Sequence, residues 1–252
     1  MSIISIANQK GGVGKTTTAV NVAACLVDAG MRVLLIDLDP QANATYSLGL
    51  ALSDDSHAMT IYNVLKTPRL LKEAIVSRDG LNVLPATIDI SGAEIELASE
   101  AGREHILKRA LKPVKDDYNY ILIDCPPSLG LLTLNALTAA DRVWITVQTE
   151  ALPLHGLAKL LQTIEIVRDR LNPDLQIAGV LCTRFNAQRN LDGDVVEKIE
   201  AKFKGKVFRT RIRQNVSLAE APSHGKTIFE YAPSSTGAED YQALVLEIIK
   251  RR

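Results

Sequence analysis

Near its N-terminus the chain reads SIISIANQKGGVGKTTTAVNVAA, residues 2–24. A short β-branched run passes directly into a glycine-rich loop, and the loop passes into a helix-like stretch. No other feature constrains the fold as much. Glycines between a buried strand and a helix let backbone N–H groups turn inward, beside the positive end of the helix dipole. GGVGKTT at residues 11–17 therefore reads as a phosphate cradle. Its binding set is Lys10, Gly11, Gly12, Val13, Gly14, Lys15, Thr16 and Thr17. Lys15 is expected to reach the β- and γ-phosphates, and the Thr16 hydroxyl to ligate Mg²⁺. The usual spacing, G-x-x-x-x-G-K-[ST], has Gln9 at its first position, and Lys10 precedes the glycines. One lysine suffices for one nucleotide, which leaves the purpose of Lys10 open.

The rest of the chain fits the same architecture. Apolar runs at 3–7, 32–36, 81–84, 120–123, 142–147 and 176–182 are nearly continuous rather than alternating. Strands of a parallel sheet covered on both faces read this way. Helix-like stretches at 16–29, 90–98, 103–112, 129–139 and 157–171 lie between them, with Gly30 as a stop for the first. The expected fold is α/β: a doubly wound, mainly parallel sheet with helices on both faces. There is no repeat, low-complexity tract or Pro/Ser-rich linker, so residues 1–252 read as one domain. Residues 42–78 are the least regular and read as a surface insertion with one or two short helices.

Two apolar runs end in acid. VLLIDLDPQAN, residues 33–43, carries Asp37 and Asp39, and YILIDCPPS, residues 120–128, carries Asp124. In open α/β sheets ligands bind beyond the carboxyl ends of the strands, so these aspartates should converge on the loop. Asp124 is the natural holder of Mg²⁺ through water, since magnesium keeps several of its waters. Asp39, just past its strand, is free to orient or activate an attacking water and joins Thr16 and Asp124 in the metal set. Asp37 is expected to support the site by hydrogen bonds or through the metal's water shell. A strand-ending aspartate is often only a turn former. Three of them in order around one phosphate loop imply ATP with Mg²⁺.

Composition narrows the alternatives. Lys+Arg and Asp+Glu both number 29, so affinity for nucleic acid or an anionic membrane must come from a local patch. The run KFKGKVFRTRIR at 202–213 is such a patch, or else a solvated edge. No apolar run is long enough to span a bilayer, and MSIISIA lacks a basic leader and a cleavage site. Cys25, Cys125 and Cys182 are far apart and odd in number, as in a reduced cytosolic chain. His57, His105, His155 and His224 share no metal-ligand spacing. Ser128 follows two prolines without a nucleophile elbow, and Trp144 reads as core. DYQALVLEIIKRR at the C-terminus fits a docked helix with cations at its negative end better than a membrane-targeting helix.

KGGVGKTT, LLIDLDPQ and YILIDCPPS together resemble the deviant Walker A, Walker A′ and Walker B motifs of the ParA/MinD class of P-loop ATPases. The segment 215–244, especially EAPSHGK at 220–226, is similar to the C-terminal part of Soj-type partitioning ATPases that lack an N-terminal helix-turn-helix domain. The resemblance runs from residue 1 to about residue 250. It implies a cytoplasmic, nucleoid-associated switch that closes in ATP as a face-to-face homodimer. Lys10 would then reach the partner's phosphates, as an arginine finger acts in trans. Lys10, Lys15 and Asp39 would be catalytic, and hydrolysis would dissolve the dimer. It also implies non-specific DNA binding and a ParB-like partner that stimulates hydrolysis. Two arginine positions of the family pattern fall on Gln188 and Ser217, which shifts the DNA expectation to Arg184, Arg189, Arg211 and Arg213. Positioning of a protein cargo, and MinD-like cycling on a membrane in cell division, are the alternatives within the class.

Overall fold

Seven strands make one sheet in a computed structural model that describes residues 1–50, 58–149 and 153–251, the side chains of 153–156 excepted. They are β1 Ser2–Ala7, β2 Val33–Asp37, β3 Val76–Arg78, β4 Leu81–Leu84, β5 Tyr120–Asp124, β6 Arg142–Gln148 and β7 Gln176–Thr183. Their order is β3-β4-β2-β5-β1-β6-β7, with every pair parallel except β3–β4. From β1 the chain first builds toward β2 and β4 on one side, then returns to place β6 and β7 on the other. The direction of winding thus changes at β1, the position where open sheets leave a crevice for ligands.

The strands are apolar on both sides because both sides are covered. Ile3, Ala7, Leu34, Ile36, Ile121, Ile123, Val143 and Ile145 face one core, and Ile4, Ile6, Val33, Leu35, Leu122 and Trp144 face the other. On the first side pack α3 Ile61–Lys66, α4 Leu71–Ala74, α5 Ile90–Glu96, α6 Ile106–Leu111, α7 Leu131–Ala139, α8 Pro153–Arg170 and α9 Asn190–Lys202. On the second pack α1 Lys15–Asp28, α2 Asn43–Ser47, α10 Ser217–Glu220, α11 Ile228–Tyr231 and α12 Thr236–Lys250. Each fully buried Ile or Leu contributes about 1.5–3 kcal/mol. Helix α1 turns Ala19, Val22, Ala23 and Leu26 onto the sheet with no exposed surface, a spacing of three and four residues. It stops where Gly30 N–H donates to Val27 O at 2.8 Å and Met31 N–H to Leu26 O at 3.0 Å.

The expected doubly wound sheet is present, and the differences are local. The irregular stretch 42–78 holds α2, α3, α4 and strand β3, which pairs back on β4. Asp79 and Gly80 between them both have positive φ, 49° and 82°, the geometry of a tight hairpin turn. The helix expected at 103–112 begins as a 3₁₀ turn, Arg103–His105. Trp144 is core, 5% exposed, with its ring edge-on to Phe208. The C-terminal helix docks: Ala238, Tyr241, Leu244, Val245 and Ile248 of α12 are buried in the core shared with α1, so its apolar face is already covered. Among the described residues no helix is long and apolar enough to cross a membrane. His57 and the His155 side chain lie outside the described residues.

Candidate functional site

The strand register draws the acidic ends together. Ile6 of β1 pairs with Asp124 of β5, and Asp124 pairs with Asp37 of β2, so the loop after β1 and both aspartates share one edge of the sheet. Leu38 N–H donates to Asp124 O at 3.0 Å, which carries Asp39 forward beside the same edge.

The loop from Asn8 to Gly14 curls over that edge. Gly12 and Gly14 have φ of 72° and 83°, in the left-handed region that side chains resist, and Gly14 forms the N-cap of α1. Nothing lies within 4 Å of where a Cβ would stand on Gly11 or Gly12, so the space beside both glycines is open. Lys15, the first residue of α1, is 6% exposed and folds back until its Nζ lies 3.5 Å from Lys10 O. Thr16 beside it is half-buried, as is Thr17.

The three aspartates differ sharply in surroundings. Asp37 is fully buried and satisfied: Thr45 N–H and the Thr45 hydroxyl donate to Oδ2 at 2.8 and 2.7 Å, and Asp39 N–H to Oδ1 at 3.2 Å. Burial pushes its carboxyl up to about 6, against the pull of those hydrogen bonds. Asp39 is 6% exposed and accepts from Gln41 N–H at 3.0 Å. Asp124 is fully buried, and neither of its carboxylate oxygens has a hydrogen-bond partner among the described residues. Burial first, and the charge of Asp37 second, hold its carboxyl well above the usual carboxylate range, with Thr16 and Lys15 offsetting part of this. An unpartnered carboxylate at zero exposure costs free energy unless something binds it. Two orphaned acceptor oxygens, a buried ammonium, a threonine hydroxyl and an open cradle of N–H groups match the donor set for a nucleoside triphosphate with Mg²⁺. Cys125, next in the chain, is buried and its thiol is pushed up, chiefly by burial, so it is no nucleophile here.

Four polar residues outside the sequence-derived set complete the edge. Thr45 bridges Asp37 to the end of β4, its hydroxyl also accepting from Ala86 N–H at 2.9 Å. Asn8 Nδ2 donates to Thr146 O at 2.6 Å, Gln148 Nε2 to Gly12 O at 2.7 Å, and the Thr183 hydroxyl to Val13 O at 3.0 Å. These three stitch the loop to β6 and β7. A signal for Gln148 was present: it is a polar residue ending an apolar strand, the logic that selects Asp37 and Asp124.

The basic segment lies elsewhere, along the outer side of β7. Residues 206–214 run beside that strand through Val180 N–H to Lys206 O, Phe208 N–H to Val180 O, Ile212 N–H to Cys182 O and Phe185 N–H to Ile212 O, all 2.9–3.0 Å. Arg213 is largely spoken for: Nε and Nη2 grip Asp240 at 2.7–3.0 Å, and Nη2 also meets Glu239 at 3.0 Å. Arg211 stacks over Phe185 at 4.8 Å and pairs with Glu200 at 3.5 Å. Arg184 and Arg189 are exposed and make no ion pair among the described residues. Their loop is pinned by Asp192, whose Oδ2 accepts from Asn186 N–H and the Thr149 hydroxyl, both at 2.8 Å.

Comparison with known proteins covers all of these elements. Residues 1–177 match a family model described as an AAA domain. Over 248 residues the chain is 52% identical to the sporulation initiation inhibitor protein Soj of Bacillus subtilis, covering 98% of this chain and 97% of that protein. It is 49% identical over 251 residues to the chromosome partitioning protein ParA of Myxococcus xanthus, covering 99% and 88%. A solved structure of cobyrinic acid a,c-diamide synthase from Mycobacterium smegmatis with bound ADP and magnesium is similar at a TM-score of 0.86 and 37% identity, over 99% of this chain and 94% of that one. The phosphate loop, the aspartate-ended strands and the C-terminal segment all lie within the aligned length, and the chain belongs to the ParA/Soj family of P-loop chromosome-partitioning ATPases.

Proposed function

We propose that residues 1–252 act as one Mg²⁺-dependent ATPase unit that forms an ATP-sandwich homodimer, binds non-specific DNA in that state and releases it on hydrolysis. The observation that carries this reading is the division between the two loop lysines. Lys15 is buried against its own loop, whereas Lys10 is exposed, its ammonium on Gln148 Oε1 at 3.2 Å. One serves the nucleotide of its own subunit. The other, on this reading, serves that of a second.

Lys15 and the N–H groups of Gly11 to Thr17 hold the phosphates. The Thr16 hydroxyl, Asp124 and Asp39 would hold the metal, which would neutralise charge on the phosphates. Asp39 also orients the attacking water, and Asp37 with Thr45 fixes the turn that carries Asp39. Lys10 from the facing subunit adds a cation to the transferring phosphoryl group, so turnover requires the dimer and is slow until a ParB-like partner stimulates it.

DNA contact falls to Arg184, Arg189, Arg211 and Arg213. Arg184 and Arg189 carry most of it, because carboxylates already neutralise much of the other two. The cargo is plasmid or chromosomal DNA held through the ParB-like adaptor, and the protein is nucleoid-associated in the cytoplasm. A salt series of binding to non-specific DNA with and without ATP tests the reading. The wild type is expected to bind only with ATP and to weaken steeply with salt, and Lys10→Ala to bind poorly. No binding by the wild type in ATP at low salt contradicts it.

A further inference from the structure

A glutamine amide offers a donor at one end and an acceptor at the other, and fixing one end fixes the other. Gln148, the last residue of β6, is 5% exposed and spends both ends on the phosphate loop. Its Nε2 donates to Gly12 O at 2.7 Å, which turns Oε1 toward Lys10, and Oε1 accepts from Lys10 Nζ at 3.2 Å. The main chain of Lys10 is tied to the same strand. Lys10 N–H donates to Asn8 Oδ1 at 3.0 Å, and Asn8 Nδ2 donates to Thr146 O at 2.6 Å. The lysine assigned to the partner's nucleotide is therefore held against its own subunit at both its backbone and its ammonium.

We propose that Gln148 is a positioning residue: it parks Lys10 in the single subunit and releases it to the facing subunit's phosphates, so that it sets the protein concentration at which the ATP dimer forms. This rests on the reading of Lys10 as acting in trans. The choice of an amide is what makes release feasible. A neutral carbonyl oxygen holds an ammonium less tightly than an anionic phosphate does, so a nucleotide brought up by a second subunit wins the contact. A carboxylate at the same place would compete with the phosphate. The bond to Gly12 gives the residue a second task, since the loop carbonyl it fixes lies between the two lysines.

Gln148→Glu and Gln148→Met separate the two tasks. Both lose the donor to Gly12, but Glu holds Lys10 more tightly and Met does not hold it. In full-length protein carrying Asp39→Ala to suppress turnover, sedimentation across a protein concentration series with saturating Mg-ATP gives the dimerisation threshold. Gln148→Met is expected to dimerise at a concentration about tenfold lower than Gln148→Glu. The gap should close when Lys10→Ala is added to both, as a pairwise coupling requires. Equal thresholds for the Glu and Met proteins, with the Asp39→Ala parent dimerising normally, overturn the proposal. A parent that stays monomeric in saturating ATP overturns instead the trans reading beneath it. Amine labelling of Lys10 in nucleotide-free protein, followed by mass spectrometry, needs no dimer. Labelling should be slowest in the Glu variant and fastest in the Met variant, and equal rates in all three proteins contradict the parking contact.

Discussion

The loop edge of the sheet and the basic segment beside β7 are both rich in charge, yet they handle it in opposite ways. At the loop, Lys15 and Asp124 are buried, and the Asp124 oxygens lack partners within the described residues. Along 206–214 the charges reach solvent, and two of the arginines are matched, Arg213 on Asp240 and Glu239 and Arg211 on Glu200, while Lys206 and Arg209 make no ion pair among the described residues. Unmatched burial is costly and survives where a ligand supplies the missing contacts. Matched exposure is cheap and needs no ligand. The difference teaches that density of charge in the sequence is a poor guide to a binding surface, and that the absence of a partner is a better one.

The comparison can be broken most sharply at Lys15. Lys15→Ala should weaken ATP binding on the order of 100-fold, read by calorimetry, because a buried cation facing phosphate has no substitute in the loop. Asp124→Asn should lower hydrolysis by a similar factor, because an amide replaces the anionic oxygens that would meet the metal's water shell. Hydrolysis unchanged in Asp124→Asn would mean that its carboxylate takes no part in holding the metal. In the basic segment the effects are smaller and should split. Arg184→Ala with Arg189→Ala should weaken DNA binding about tenfold and reduce the salt slope by about 2. Arg213→Ala should instead cost about 1 kcal/mol of stability or less and leave that slope nearly unchanged, its side chain being 45% exposed and the pair screened by solvent.

The smallest expected effect is a pH dependence. Asp37 is raised from 3.8 to about 6, so between those values the native protein holds a proton that the unfolded chain has released. Its contribution to stability is full below 3.8 and is lost as pH rises through about 6. Asp37→Asn should therefore flatten the decline of Tm over that window relative to wild type, as thermal scans at a series of pH values would show. An unchanged slope would mean that the carboxyl stays ionised.

Much of this was legible in the sequence, for a physical reason. Strands buried on both faces show as unbroken apolar runs, and β1, β2, β4, β5, β6 and β7 each fall within a residue or two of such a run. Asp37, Asp39 and Asp124 stood out because acid at the end of such a run has no place in the core. Strand β3 was missed although Asp79-Gly80 is a hairpin signal, because its three residues are too short for periodicity and only partly buried. Helix α9 was missed because polar and acidic residues cover its outer face and break the apolar pattern. The pairing of Arg213 could not be read at all: Asp240 lies 27 positions later and meets it only through the docking of α12. Gln148 carried a signal as the polar end of an apolar strand, but its partners, Gly12 O and Lys10 Nζ, and those of Thr45, Asp37 Oδ2 and Ala86 N, meet only in the fold.

The most direct test of two lysines serving two nucleotides is sedimentation of Asp39→Ala and of Asp39→Ala with Lys10→Ala, both saturated with Mg-ATP. The first is expected to run as a stable dimer, and the second to bind ATP yet remain a monomer. A Lys10→Ala protein that dimerises at the same concentration as its parent would contradict the division of labour between Lys10 and Lys15.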